Sequence, residues 1–348
     1  MPPLEEYTHY LEQIWSSGYL SNQGPLLKDF ESQVEQYLGV DNFHFVTNGT
    51  LALQVALKAL DITEGEVITT PFSFVATTSS ILWERCDPIF VDIEPGTLCI
   101  DANKIEAAIT DKTKAIMAVH VFGYPCDVEK IESIAKKHDL KVIYDGAHAF
   151  GAEYKGKSLL SYGDITTCSF HATKLFHTIE GGAIVVKDKA VSEKVDLIKK
   201  FGNVGDEQQM LGINAKASEF QAAMGLCNLK YIDEVIQKRS EVYHLYTELL
   251  GDSVQIPHMP EGIKYNYSYY PVIFKSEEQL LQKMKRLNEA DIYPRRYFYP
   301  SLNNLSYLTK TQKCQISEDI SSRIACLPLY VGLDEEVIRK IAEIINED

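Results

Sequence analysis

The chain has 348 residues, 45% of them hydrophobic, and a formal net charge of −15. That length can bury a large core and suggests two domains, or one large domain with an appendage. The acidic balance argues against a nucleic-acid or anionic-membrane partner, because phosphate backbones are held by clustered Lys and Arg, and no stretch approaches the roughly 20 apolar residues that span a bilayer. The opening Met1-Pro2-Pro3-Leu4-Glu5-Glu6 has neither a basic region nor an apolar signal core, so a cytoplasmic location is expected.

In chain order, an amphipathic helix is predicted over 26–38 behind Gly24-Pro25, where proline suits a first helical turn. Thr47-Asn48-Gly49-Thr50 then leads into the apolar run 51–57. Free N–H groups at that helix start, with the Thr50 hydroxyl, can hold a phosphate; equally, Thr47 or Asn48 simply caps a core helix. Short apolar strands follow over 67–70, 88–92, 115–122, 141–145, 165–170 and 182–186. Helical patterns lie between several of them, as at Val128, Ile131, Ile134 and Ala135. Strands separated by helices imply a mostly parallel sheet covered on both faces, with ligands outside the strand carboxyl ends. Pro71-Phe72-Ser73-Phe74, Asp145 and Ser169 all fall at such ends. Residues 214–250 read as one long helical connector, 267–274 as a half-buried strand, and 277–289 and 335–346 as helices.

Lys174, in Ser169-Phe170-His171-Ala172-Thr173-Lys174 and followed by Glu180-Gly181-Gly182-Ala183, is the most informative residue. A lone lysine is most often a solvated charge. Here it follows a strand, where it can form a Schiff base with an aldehyde, and an earlier strand ends in Asp145. Pyridoxal phosphate (PLP) needs this pair: a lysine for its aldehyde and a carboxylate that keeps its ring nitrogen protonated. Ser169 offers a second hydroxyl for a phosphate, or is an ordinary strand-end hydroxyl. Neither G-x-x-x-x-G-K-[ST] nor G-x-G-x-x-G occurs, which leaves a nucleotide P-loop or a nicotinamide-binding domain without support. The seven cysteines are scattered without a Cys-x-x-Cys pair, against a disulfide framework. Cys168, His171 and His177 lack a second close-spaced ligand pair, so no metal site is expected.

Taken in order, these segments resemble the nucleotide-sugar aminotransferases, a branch of the aspartate-aminotransferase-like (fold type I) PLP enzymes. Further segments carry the resemblance: Val75-Ala76-Thr77, Val91-Asp92-Ile93, His120-Val121-Phe122-Gly123, Asp145-Gly146-Ala147-His148-Ala149-Phe150-Gly151-Ala152, Gly212-Ile213-Asn214-Ala215-Lys216, Glu219-Phe220-Gln221-Ala222-Ala223 and Leu327-Pro328-Leu329-Tyr330. The resemblance implies an α/β fold: a large domain with a mostly parallel seven-stranded sheet sandwiched by helices, plus a smaller C-terminal α+β domain. The expected divisions are 1–213, a connecting helical segment 214–250, and 251–348. It implies that Lys174 bonds the cofactor aldehyde, that Asp145 pairs with the pyridine nitrogen, and that His148 sits by the ring. Phe74 would stack on the ring face, and Gly49, Thr50 and Ser169 would bind the phosphate. Asn214 would reach that phosphate from a neighbouring subunit, making a homodimer with shared active sites.

His171 and Glu180 resemble the C4-aminating branch. The expected reaction moves an amino group from L-glutamate to a nucleotide-linked keto sugar, dTDP-4-keto-6-deoxyglucose first among candidates. C3 amination of a 3-keto isomer and a non-catalytic regulator on the same fold are the alternatives, with a different PLP reaction on that fold, such as amino-acid side-chain chemistry, a more distant one. Tyr297, Tyr299, Tyr330 and Lys216 are candidate wall residues for the sugar or diphosphate, or ordinary surface and structural residues. The sequence departs from the family at Gly146, where alanine is common, and at Lys216, where arginine is common; the two cations are not equivalent at a bidentate anion site.

Overall fold

The computed structural model describes residues 1–309 and 312–347. Its centre is a seven-stranded sheet. We number the strands β1 (Phe43–Val46), β2 (Glu66–Thr69), β3 (Asp87–Phe90), β4 (Thr113–Val119), β5 (Lys141–Asp145), β6 (Ile165–Ser169) and β7 (Gly182–Val186). Their spatial order is β1-β7-β6-β5-β4-β2-β3. Only β7 runs against its neighbours: it pairs antiparallel with β1 and β6, while β2–β3, β2–β4, β4–β5 and β5–β6 are parallel. Alternation along the strands divides the core. Ala183 and Val185 join Phe43 and Phe45 on one face, and Ile184 and Val186 join Val46 on the other.

The flanking helices have identifiable starts. In α1 (Leu4–Ser17) and α2 (Pro25–Leu38) the chain packs toward α7 (Glu219–Leu229), numbered after α3 (Gly49–Ala59), α4 (Val75–Trp83), α5 (Val128–Lys137) and α6 (Lys189–Ile198). Pro25 occupies the first helical position of α2, whose Leu26 and Leu27 amides donate to the Glu219 carboxylate at 2.9 and 3.0 Å. A buried carboxylate thus satisfies two orphan donors and meets the positive end of the helix. Gly24 is required there, because a Cβ would lie 2.5 Å from Glu219 Cδ.

The sheet agrees with the sequence reading, with β5 and β7 at the expected bounds. β4 stops at Val119 rather than continuing to 122, because Val121–Gly123 turns into a short 3-10 segment with Phe122 at φ +55°. The connector reading needs correction. Residues 214–218 are extended, and Lys216 bridges to Val46 of β1. The helical part divides into α7 and α8 (Ile232–Leu250) at Lys230–Tyr231. Ser218 starts α7 with a reciprocal capping box to Gln221. α7 is buried nearly all round, whereas α8 is amphipathic, and only the latter runs on as a connector.

Beyond residue 250, the antiparallel pair β8 (Tyr270–Ile273) and β9 (Ile324–Leu327) is covered by α9 (Glu277–Glu289), α10 (Gln315–Arg323) and α11 (Glu335–Asn346). This layer shares one apolar core with the large sheet: Phe72, Phe122 and Tyr144 belong to the same cluster as Phe298, Leu327 and Ile341.

Candidate active site

The parallel strands end on one side of the sheet. Since β7 is reversed, its first residue lies there too. The turns after β1, β2, β4, β5 and β6 therefore converge, as expected for a doubly wound sheet.

Asp145 closes β5 and is 5% exposed. Its Oδ2 accepts the Thr77 hydroxyl at 2.7 Å and its Oδ1 accepts the Ala147 amide at 3.1 Å. Burial pushes its carboxyl above the usual range; the Thr77 and Ala147 hydrogen bonds and the Lys174 charge oppose that. Lys174 lies in the 170–181 excursion between β6 and β7. Burial pushes its amine below the ordinary lysine range, the Asp145 charge opposes this, and the Arg295 charge adds to it. A depressed lysine keeps more of the neutral amine that attacks an aldehyde.

The excursion has no regular structure, yet it is pinned. Phe170 N donates to Gly181 O at 2.8 Å, and Thr178 N to Phe170 O at 2.9 Å. Gln221 and Asn228 of α7 donate to Glu180 O and His177 O at 2.7 and 2.8 Å. Phe176 anchors it, stacked 4.2 Å from Phe150 in an aromatic cluster with Phe30 and Phe170. His171 and Glu180 face each other across the loop at 3.5 Å.

Ser169, Lys174 and His148 line one small cavity with Ala147, Ser268 and Tyr269. His148 is held by the amide of Phe122, which donates to its Nδ1 at 3.1 Å, so the ring proton resides on Nε2. Burial and the Lys174 charge keep this histidine neutral. Its backbone carbonyl accepts from Asn266 and Ser268 at 2.8 and 3.0 Å, which ties the site to the C-terminal layer. Gly49 and Thr50 are the first residues of α3, where amides lack intrahelical acceptors. Asn48 caps that helix, its Oδ1 accepting Leu51 N at 2.9 Å. Cap and phosphate cup are therefore compatible readings of one turn. A Cβ on Gly49 would sit 3.0 Å from Ser169 Cβ, so Ser169 and the helix start share one space. Phe74 precedes α4 and is 53% exposed.

Asn214 is exposed and accepts from Lys216 Nζ at 2.8 Å; that ammonium also lies 4.7 Å over the Phe201 ring. The backbone between the two is tied to the end of β1, Thr47 N donating to Ala215 O. Tyr297 stands 5.9 Å from Tyr269, beside the cavity. Tyr299 is stacked on Arg296, and Tyr330 follows β9; both are half exposed and neither lines the cavity.

Ser73, Thr77, Tyr269 and Arg295 are site residues that the sequence reading missed as such. Arg295 reaches Tyr297 Oη with Nη1 at 3.2 Å and has no carboxylate partner among the described residues. No group of three or more His, Cys, Asp or Glu among the described residues is placed to hold a metal.

A buried carboxylate, an amine of lowered basicity and a hydroxyl-lined helix start fit the ring nitrogen, aldehyde and phosphate of PLP. Fold and site define a PLP-dependent transferase of the aspartate-aminotransferase-like class. Comparison with known proteins sharpens this. Residues 4–346 match the DegT/DnrJ/EryC1/StrS aminotransferase family, and the chain belongs to it. It is 42% identical to a dTDP-4-amino-4,6-dideoxy-D-glucose transaminase of Shigella dysenteriae over 355 residues, covering 100% of this chain and 96% of the relative. It is 34% identical to a GDP-perosamine synthase of Escherichia coli O157:H7 over 342 residues, 97% and 94% of the two chains. The crystal structure of DesI in the presence of its TDP-sugar product superposes with a TM-score of 0.94 at 30% identity, covering 99% of this chain and 90% of that one.

Proposed function

We propose that this aminotransferase moves an amino group from L-glutamate to C4 of a nucleotide-linked 4-keto-6-deoxyhexose, with a thymidine diphosphate carrier. The observation that carries the reading is the joining of His148, Ser169 and Lys174 around one cavity, with the buried Asp145 carboxylate close enough to feel the Lys174 charge, in a chain so similar to a dTDP-4-amino-4,6-dideoxy-D-glucose transaminase. The facing pair His171 and Glu180, the two residues that resemble the C4-aminating branch, sits on the loop that presents Lys174.

PLP, when bound, supplies an electron sink for the carbanion left after loss of the donor α-proton and stores the amino group between two half-reactions. Lys174 Nζ would move that proton; burial lowers its basicity, which favours the neutral amine that can accept one. Asp145 would hold a proton on the ring nitrogen by its negative charge. Gly49, Thr50 and Ser169 orient the phosphate, and Phe74 covers the ring face. Arg295, whose guanidinium meets Tyr297 Oη but no carboxylate among the described residues, offers charge for the donor carboxylate. Lys216, Tyr297, Tyr299 and Tyr330 belong to the sugar-nucleotide side, where Tyr299 and Tyr330 serve only as exposed rim.

The working form is a homodimer with Asn214 completing the partner's phosphate site. Exposed Phe74, Ile179, Phe201, Leu211 and Ile213 supply the apolar surface that a second copy would cover.

The test uses purified protein and PLP. Absorbance at the visible edge should appear, bleach with L-glutamate, and in a separate sample be lost on borohydride reduction with the cofactor left bonded to the Lys174 peptide. After bleaching, added dTDP-4-keto-6-deoxyglucose should restore the absorbance and yield a 4-amino sugar nucleotide. No bleaching with glutamate, or product only from a 3-keto isomer, would defeat the reading.

A further inference from the structure

Phe74 stands between two hydroxyls, Ser73 in the turn after β2 and Thr77 in the first turn of α4. Thr77 Oγ1 donates to Asp145 Oδ2 at 2.7 Å, and Ser73 Oγ lies 2.7 Å from that same Thr77 oxygen. A hydroxyl has one proton to give. With Asp145 ionised, the Thr77 proton is committed to the carboxylate, so Ser73 is the donor in the second bond. The arrangement is shielded from water: Ser73 is 3% exposed and Thr77 0%. The Ala147 amide occupies the other carboxylate oxygen. The carboxylate is thus gripped from two chain segments, with lone pairs left for one further donor.

We propose that Ser73 and Thr77 form a hydroxyl relay that keeps Asp145 ionised and oriented toward the cofactor ring nitrogen, which makes Thr77 a positioning residue for the proton on that nitrogen. The proposal rests on the PLP reading of Asp145. Its physical basis is a competition. Burial drives a carboxyl toward its neutral acid, and hydrogen bonds donated to the charged form oppose that. A neutral Asp145 would donate outward to Thr77, the relay would run backwards, and the ring nitrogen would lose its counter-charge. Because the two hydroxyls flank Phe74, a single segment both covers the ring face and sets the state of the acid at its nitrogen. Removing the Thr77 hydroxyl should therefore act on cofactor chemistry and not only on packing.

Three variants separate the alternatives. Thr77→Val keeps shape and removes the hydroxyl, Thr77→Ser restores it, and Ser73→Ala removes the outer donor alone. Each apo-protein is titrated with PLP and with the analogue in which CH replaces the ring nitrogen, dissociation constants being read from fluorescence. Thermal melting of the apo-proteins checks folding. Loss of a hydrogen bond to a charged group predicts PLP binding about ten- to a hundred-fold weaker in Thr77→Val. The analogue should be nearly unaffected, Thr77→Ser should recover, and Ser73→Ala should fall between. Equal losses for PLP and analogue would reduce Thr77 to a packing residue and overturn the relay. If Thr77→Val does not fold, the same comparison is made with Ser73→Ala and decides alike. Wild-type protein that binds PLP and analogue equally tightly would instead sink the assignment of Asp145 to the ring nitrogen.

Discussion

Gly182→Ala is a sharp test of the phosphate cup. Gly182 opens β7 and pairs with Val46 on one side and Ser169 on the other. A Cβ at this position would lie 2.5 Å from Asn48 C and O and 2.7 Å from Gly49 N. That is about an ångström inside ordinary contact, and the obstacle is backbone, which cannot swing aside. Overpacking of this kind costs about 1–3 kcal/mol. Asn48 is also the cap of α3, bonded through its side chain to Leu51 N and through its carbonyl to Ala52 N. Relief of the clash therefore tilts the first turn of α3, where the Gly49 and Thr50 amides lie. If the apo-protein relaxes, PLP must restore the turn, and affinity falls about 5- to 150-fold. If it does not relax, the same cost lowers the melting temperature. Both quantities are measured on one preparation, by absorbance titration and by thermal unfolding. Gly49→Ala is the control: its Cβ meets Ser169 at 3.0 Å from Cβ and 3.4 Å from Cα, a milder contact, so its melting temperature should fall less. Gly182→Ala protein with unchanged PLP affinity and unchanged melting would refute the argument.

Lys174→Ala should keep the fold and melt near wild type while turnover and the borohydride-fixed cofactor both vanish; residual turnover would remove Lys174 from its role. Arg295→Gln should raise the glutamate concentration needed for half-maximal bleaching about ten-fold or more, as loss of a charge-assisted hydrogen bond implies. Its keto-sugar half-reaction should stay at the wild-type rate, and the opposite split would move Arg295 to the diphosphate. His120 is fully buried, and burial alone pushes its pKa down to about 3. An unfolded chain takes up that proton at an ordinary histidine pKa while the folded one does not, so this contribution to stability is lost as pH falls from about 6.5 toward 3. The slope is about 1.4 kcal/mol per pH unit within that window. Urea midpoints of His120→Asn should show a shallower acid decline than wild type, and parallel declines would contradict it. Glu219→Gln should cost about 1–2 kcal/mol in urea unfolding, because the charge at the start of α2 is lost.

What could be read from the sequence, and what could not, follows from the range of the interactions. β5 is bounded by Lys141 and Asp145 and β7 by Gly182 and Lys187, so local composition marks their ends. Helix α9 is marked by Ser276, which caps Gln279 N. By contrast, β1 is four residues long and becomes a strand only by pairing with β7, far along the chain. Helix α1 buries only Ile14 fully, against partners near α7, and its pattern is correspondingly faint. The break between α7 and α8 was hidden because apolar residues continue through it; it shows only when α7 is seen packed on α1 and α2.

The site divides the same way, and the division explains its chemistry. Asp145, His148, Ser169 and Lys174 stand in short motifs at strand ends, where the topology alone makes them converge. Thr77 ends the segment Val75-Ala76-Thr77 and Arg295 stands in none, and the sequence marks neither as a partner of Asp145 or Lys174. Thr77 matters through one bond across 68 residues, and Arg295 through the Cys326 backbone that holds it at the cavity rim. The motif residues are the groups that would touch the cofactor, and the silent ones set their charge. Burial pushes Asp145 toward its neutral form, and a neutral Asp145 could not hold the ring proton on which the electron sink depends. The hydroxyl from α4 and the amide from Ala147 therefore support the charge on which the motif depends, although the segments that contain Thr77 and Ala147 give no sign of those contacts.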